Sequence, residues 1–264
     1  MRLDTALVRR GLVSSRQRAK EAITAGQVFV DGEQINKASW RITGDAVLEI
    51  RGPVLAYPSR AGLKLEKALA HFRVDVAGMV ALDVGAAAGG FTSCLLQRGA
   101  RLVYAVDVGR DQLAAELKTD PRVIVMENTD IRVVTERDLG QLPDLAVIDV
   151  AFISLRKVFP VLFSLLPKEG QVIALIKPQF ETGGQGLNKH GVISAASTHI
   201  KFIPPLLNDL QGMGFRLENF SFSPIAGSKG NLEFLAHFTA RVPGRDIGDD
   251  AVDVISNAWE QVER

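Results

Sequence analysis

Leu82-Asp83-Val84-Gly85-Ala86-Ala87-Ala88-Gly89-Gly90-Phe91-Thr92 decides the reading of this chain. The apolar run at 79–84 predicts a buried strand. A loop of small residues follows, and Phe91-Thr92-Ser93-Cys94-Leu95-Leu96 opens a helix. Strand, glycine loop and helix N-terminus together predict a cofactor site of the nucleotide class. Glycines let the backbone approach a ligand, and the first N–H groups of the helix face it.

The loop departs from the dinucleotide pattern G-x-G-x-x-G. Gly85 and Gly90 fit, but Ala87 stands where the second glycine lets a pyrophosphate approach. Asp83 would repel a diphosphate and attract an ammonium group. A cofactor with a cationic end and no phosphate fits both features, and S-adenosylmethionine is one. The same features disfavour a nicotinamide dehydrogenase. Asp107 closes the next predicted strand, where an acid accepts from two ribose hydroxyls. Asp130 follows the third, within reach of an adenine amino group or simply a strand-end carboxylate. The cofactor set is Asp83, Gly85, Ala86, Gly89, Gly90, Phe91, Thr92, Asp107 and Asp130.

Outward from this loop, strands and helices alternate. Strands are expected at 79–84, 101–106, 122–126, 144–149 and 171–176, and helices at 90–98, 110–118, 155–166 and 195–212. The strands are apolar throughout, as in a parallel sheet covered on both faces. Two more, 215–223 and 231–240, are separated by a turn and should form an antiparallel edge. The fold class is α/β: a Rossmann-like, doubly wound, seven-stranded and mostly parallel sheet. A terminal helix is expected at 249–262.

Charged residues sit where these apolar strands end. Asp149 ends the fourth, Lys177 the fifth, and Glu233 lies early in the last. Lys64 is in the first turn of a helix that precedes the sheet. A charge at the C-terminal edge of a sheet costs desolvation unless paired, so a Lys–Asp–Lys–Glu cluster would satisfy itself. Two structural ion pairs are the plainer alternative.

The first 50 residues read as a separate small α+β unit. Two short helices end at Gly11 and Gly26, with Ser14-Ser15 as cap of the second, and Val28-Phe29-Val30 then Asp31-Gly32 read as strand and turn. Residues 1–41 hold eight bases against four acids, so the rest of the chain carries a net −3 within a total of +1. Arg9, Arg10, Arg16, Arg18 and Lys20 crowd the two helices, which points to an anionic partner. Residues 51–59 read as a linker, and 60–264 as the larger domain. The single cysteine, Cys94, excludes an internal disulfide and fits a reducing, cytoplasmic setting. His71, His190, His199 and His237 are scattered, so no metal is expected. No apolar run reaches the ~18 residues that span a bilayer.

Two resemblances follow from these residues. Arg2-Leu3-Asp4, Gly11-Leu12, Ser15-Arg16, Ala19, Gly26-Gln27-Val28, Val30-Asp31-Gly32 and Lys37-Ala38-Ser39 resemble the RNA-binding domain named after ribosomal protein S-four. Ser59 through Leu65, Asp83 through Thr92, Asp149 through Leu155, Lys177-Pro178-Gln179-Phe180-Glu181 and Ser223 through Phe234 resemble the FtsJ type of ribose 2'-O-methyltransferase. The whole chain resembles the TlyA family, often labelled haemolysins. That resemblance implies a class I methyltransferase domain, S-adenosylmethionine as cofactor, and 2'-O-methylation of ribosomal RNA, at cytidine. It implies Lys64, Asp149, Lys177 and Glu233 as the catalytic set, with ribosomal RNA or subunits as partner. Lys177 would act as base or steering cation. Arg60 and Lys189 join the five basic residues as RNA-facing, with His190 and Lys229 near phosphate. Ala61, Ala87, Ala88 and Ala151 depart from the usual family residues. The loop 183–189 reads as a cover for RNA or cofactor, or as plain surface. Rival readings are a non-catalytic RNA-binding factor and a membrane-active haemolysin.

Overall fold

A computed structural model describes residues 1–13, 16–24, 26–51, 56–227, 229–242, 244 and 250–262, without the side chains of 17 and 21. The expected cap at Ser14-Ser15 and residues 52–55 of the expected linker lie outside these. The chain divides into two compact units, Met1–Arg60 and Ala61–Arg264.

In the first unit, helices α1 (Leu3–Arg9) and α2 (Arg16–Thr24) pack on β1 (Val28–Val30), β2 (Glu33–Gln34) and β3 (Leu48–Ile50). The antiparallel order is β2-β1-β3. Leu3, Leu7, Ala19, Ile23 and Val28 fill the core. Gly11 and Gly26 take the left-handed backbone, with φ of 70° and 69°, that closes each helix. Strands β2 and β3 had no period to betray them, being two and three residues long.

Asp4 is fully buried in this unit. Arg2 donates to it through Nε and Nη2 at 3.0 Å each, Arg16 at 3.1 Å and the Thr5 N–H at 2.9 Å. The Arg2 guanidinium above all, then Arg16, holds the carboxyl well below the usual range against the effect of burial.

The second unit begins with α3 (Ala61–Phe72), followed by β4 (Val80–Val84), α4 (Gly90–Gln97), β5 (Leu102–Val106), α5 (Ala115–Lys118) and β6 (Val123–Met126). Then come β7 (Leu145–Ile148), α6 (Phe159–Leu165), β8 (Gln171–Ile176), α7 (Pro178–Glu181), α8 (Ala196–Gly212), β9 (Phe215–Phe222), β10 (Phe234–Ala240) and α9 (Asp250–Gln261). The sheet order is β6-β5-β4-β7-β8-β10-β9. The first five are parallel, and β10 runs antiparallel to both β8 and β9. This is the expected Rossmann-like sheet. The chain winds outward from β4 to β6, then crosses back to β7, so the switch point lies at the C-terminal ends of β4 and β7.

Both faces are buried because alternate side chains point to opposite sides. Leu82, Val84, Ile148, Ala174 and Ile176 join the core shared with Leu162, Ile203 and Ile255. Ala81, Val147, Ile173 and Leu175 are equally buried on the other side. The ring stacking of Phe72 on His237, at 5.8 Å, fixes α3 over that second face.

Three expectations need correction. The helix at 110–118 shrinks to Ala115–Lys118, because Glu127 accepts from the N–H groups of Asp111, Gln112 and Leu113 and binds them outside any helix. The helix at 155–166 splits into a 3-10 turn at Leu155–Lys157, capped by Ser154, and α6. The last strand starts at Phe234, so a longer segment than a tight turn joins β9 to β10.

Asp4 yields a test. Its folded pKa lies below the unfolded one, so its contribution is complete above about pH 4 and fades as the pH falls. In full-length protein Asp4→Asn should speed amide exchange in α1 by about tenfold at pH 7, with the gap to wild type closing in acid.

Candidate active site

β4, β7 and β8 deliver three acidic or basic side chains at one edge of the sheet. Asp83 is the fourth residue of β4 and is fully buried. Asp149 and Lys177 are the first residues past β7 and β8; the strand expected at 144–149 stops one residue earlier, and that at 171–176 stops where expected. Glu233 likewise precedes β10 instead of lying in it.

The pleat puts all four on one face. Asp83 alternates with Leu82 and Val84, and Asp149 has the parity of Val147. Lys177 has the parity of Leu175, and Glu233 that of Leu235. Phe234 pairs with Ile176, so the register carried one step further sets Glu233 opposite Lys177. This is the face that α3 covers, and α3 contributes Lys64. Lys177 Nζ lies 2.5 Å from Asp149 Oδ1, a close charge contact and not a well-directed hydrogen bond. Lys64 forms a buried, hydrogen-bonded ion pair with Glu233. The structure therefore brings the four together as two neighbouring pairs with no net charge.

Asp83 accepts from the Thr92 hydroxyl at 2.6 Å through Oδ2, while Oδ1 is buried without a hydrogen-bond partner. Burial first, then the charges of Asp149 and Asp107, push its carboxyl up to about 7 against the pull of Thr92. The backbones of the β4 loop and the β7 exit lie close together here. Gly85 has φ of 90°, and a Cβ there would meet the Asp149 carbonyl oxygen at 2.6 Å. Gly89, the N-cap of α4, also has φ of 90°.

The remaining expected cofactor residues divide. Asp107 sits at the rim, accepting from the Ala87 N–H at 2.9 Å and the Gly109 N–H at 2.6 Å. Ala87 has φ of 45°, a backbone state that glycine would take without strain. Asp130 caps a 3-10 turn and is gripped by the Arg132 guanidinium, so its carboxylate is already engaged. Ala86, Gly90, Phe91 and Thr92 are buried, and Phe91 is core.

Two features were missed in the sequence. Phe152 is 91% exposed, has φ of 64°, and leans on Phe180 with ring centroids 4.9 Å apart. An apolar residue after an apolar strand reads as core, so only the left-handed backbone betrays it. The second is a braced hairpin at 187–193. Leu187 bridges Ile193, and Asn188 Oδ1 accepts from the N–H groups of His190 and Val192. Buried Asn231 accepts from the Ile193 N–H at 3.0 Å and donates to the Gly191 carbonyl at 2.9 Å. The hairpin tip exposes Lys189 and His190, and Lys229 Nζ lies 3.7 Å from where a Gly191 Cβ would stand. Neither lysine has an acidic partner among the described residues.

The basic residues of the first unit are not equally available. Arg10 donates to the carbonyls of Ala46 and Gly44, and Arg16 pairs with Asp4. Arg9, Lys20 and Arg60 are exposed. Arg18 has Nε buried.

Residues 57–240 match the FtsJ-like methyltransferase family, and residues 1–48 match the S4 domain. The chain belongs to the FtsJ-like methyltransferase family. Within it, the chain is 45% identical over 237 residues to "Putative rRNA methyltransferase YqxC" of Bacillus subtilis, covering 89% of this chain and 84% of that one. It is 39% identical over 234 residues to the Mycobacterium tuberculosis 16S/23S rRNA (cytidine-2'-O)-methyltransferase TlyA, covering 88% and 87%. A solved structure, "Putative hemolysin from Streptococcus thermophilus", has a TM-score of 0.82 at 40% identity, covering 99% of this chain and 96% of that one. No helix among the described residues is long and apolar enough to cross a membrane, and no group of His, Cys, Asp and Glu among them could hold a metal.

The raised Asp83 fixes a sign. The folded protein binds its proton between about pH 4 and pH 7 while the unfolded chain does not, so stability falls as pH rises through that window. Melting of cofactor-free protein should drop by several degrees from pH 5 to pH 8, and Asp83→Asn should flatten that slope.

Proposed function

We propose that this FtsJ-like methyltransferase moves the methyl group of S-adenosylmethionine to a ribose 2'-hydroxyl of ribosomal RNA, at cytidine, through Lys64, Asp149, Lys177 and Glu233. The observation that carries the reading is the set of two ion pairs on one face of the sheet's C-terminal edge, beside the β4 loop. It assigns 1–50 to RNA docking, 51–59 to a linker and 60–264 to catalysis, in a cytoplasmic protein.

The residues at β4 fit such a cofactor. A fully buried carboxylate with one oxygen unpartnered, in a wall too tight for a Cβ, suits a cationic ligand and not a diphosphate. When bound, S-adenosylmethionine supplies an electrophilic methyl carbon on a good leaving group. Asp83, Gly85, Ala86, Gly89, Gly90, Phe91 and Thr92 would line its amino-acid end, Phe91 through its backbone. Asp107 would take the ribose hydroxyls. Asp130, held by Arg132, would have to share its carboxylate to meet adenine.

The protein's part is orientation. Aligning the 2'-oxygen with the methyl carbon can supply several kcal/mol, about 7–11 at the upper end. Lys177 meets the 2'-oxygen. As a neutral amine it takes the departing proton; as an ammonium it stabilises the developing negative charge while the proton passes to solvent water. Asp149 holds it in place. Lys64 and Glu233 bind the target ribose from the other side. Phe152 offers an aromatic face to the base, as is usual for an unpaired nucleotide.

RNA would meet Arg9, Arg18, Lys20 and Arg60 as well as the hairpin cations. Arg10 and Arg16 serve their own unit first. The relatives' names support ribosomal RNA as substrate, and the S4 match supports an RNA-docking unit. The alanines of the β4 loop keep the non-catalytic binder as the second reading.

Two measurements test this. Lys177→Ala should lower labelled-methyl transfer to ribosomal RNA by about a thousandfold; near-normal transfer overturns the catalytic assignment. Lys189→Ala with Lys229→Ala should weaken RNA binding and flatten its salt dependence by about one unit of slope per lysine, leaving cofactor affinity unchanged in calorimetry.

A further inference from the structure

Glu181, the last residue of α7, has a side chain 3% exposed, less than the acids of the two ion pairs, yet it belongs to neither pair. It accepts from the Ser154 hydroxyl at 2.6 Å, from the Leu155 N–H at 2.9 Å and from Arg156 Nη1 at 3.4 Å. Arg156 Nε continues to Asp209 on α8 at 2.7 Å. All three donors lie in the segment that leaves β7. Glu181 lies in the turn that leaves β8, four residues after Lys177.

The ladder between β7 and β8 ends at Ile148 and Ala174. Past that point no backbone register fixes 149–155 against 177–181. Lys177 and Asp149 nevertheless hold a 2.5 Å contact there, and Phe152 holds its strained φ of 64° against Phe180. Burial disfavours the ionised form of Glu181, while Ser154, Leu155 and Arg156 favour it. A carboxylate kept in such a place has a geometric role, since three donors converge on it from one loop.

We propose that Glu181 is a positioning residue: it clamps the β7 exit loop to the β8 exit turn, and so sets the Lys177–Asp149 pair and the Phe152–Phe180 ring pair in register with each other. The clamp acts through Lys177 and touches neither RNA nor cofactor. It rests on the catalytic reading of Lys177 proposed above.

The test uses the full-length protein with ribosomal RNA. Glu181→Ala should lower kcat by about 100-fold, the cost of a misplacement near one ångström, with the cofactor Kd and the RNA KM within about threefold. Glu181→Gln should recover most of that loss, because its carbonyl can accept from Leu155 and its amide can donate to the Ser154 oxygen. Ser154→Ala removes one arm of the clamp and should lower kcat by about threefold to tenfold; it carries the test if Glu181→Ala does not fold. A kcat within threefold of wild type in both Glu181→Ala and Ser154→Ala overturns the clamp. So does a loss that falls on cofactor Kd or RNA KM. Lys177→Ala separates the two proposals: if it retains transfer, the catalytic reading fails. If it is inactive while Glu181→Ala is near normal, only the clamp fails.

Discussion

Four ionised side chains at the end of an apolar sheet can leave water only in pairs. That constraint shapes the second unit. The strands carry almost nothing but Val, Ile, Leu and Ala, so each end charge meets a low-dielectric wall. Lys177 with Asp149, and Lys64 with Glu233, remove the net charge pairwise. Asp83 stands on the same face without a cation, and burial first, then the charges of Asp149 and Asp107, raises its pKa.

Pairing alone would not place these groups. The two-residue period of the pleat does that, because strand ends of matching parity project to the same side. Asp83, Asp149, Lys177 and Glu233 come from four strands that are far apart in sequence, yet share the face under α3. A slip of one residue in β8 would turn Lys177 to the opposite core. The register between β8 and β10 is therefore as much a part of the site as any side chain. The six antiparallel pairs from Phe234↔Ile176 to Thr239↔Gln171 secure it.

The sheet was legible in the sequence because its strands are continuous apolar runs that stop at a charge. The stop of β7 falls one residue before the expected one, since a charged residue that closes a run need not join the ladder: Ile148 is the last paired residue there, as Ile176 is in β8. Local side-chain bonds to the backbone left no such trace. Glu127 unwinds the expected helix start at 111–113, and Ser154 cuts off a turn before α6. Asp4, one of four acids in a basic head, is that head's internal anchor, and it engages Arg16 while leaving that side chain exposed. Which basic residues are spent inside the fold cannot be read from spacing.

The exits of the sheet show how precision survives where the ladder stops. Asp149 donates its N–H to the Val84 carbonyl at 2.9 Å, tying the β7 exit to β4. Ser223 donates its N–H to the Glu233 carbonyl at 2.8 Å, tying β9 to the start of β10. Asn231 then ties that segment to the hairpin after β8. Each tie uses a backbone group or a neutral amide, which adds no charge to an already crowded edge. The β7–β8 exits are joined instead through a carboxylate, Glu181, whose network runs on through Arg156 to Asp209. One guanidinium between two carboxylates does not balance their charge, so the network holds its distance through directed hydrogen bonds from Ser154, Leu155 and Arg156.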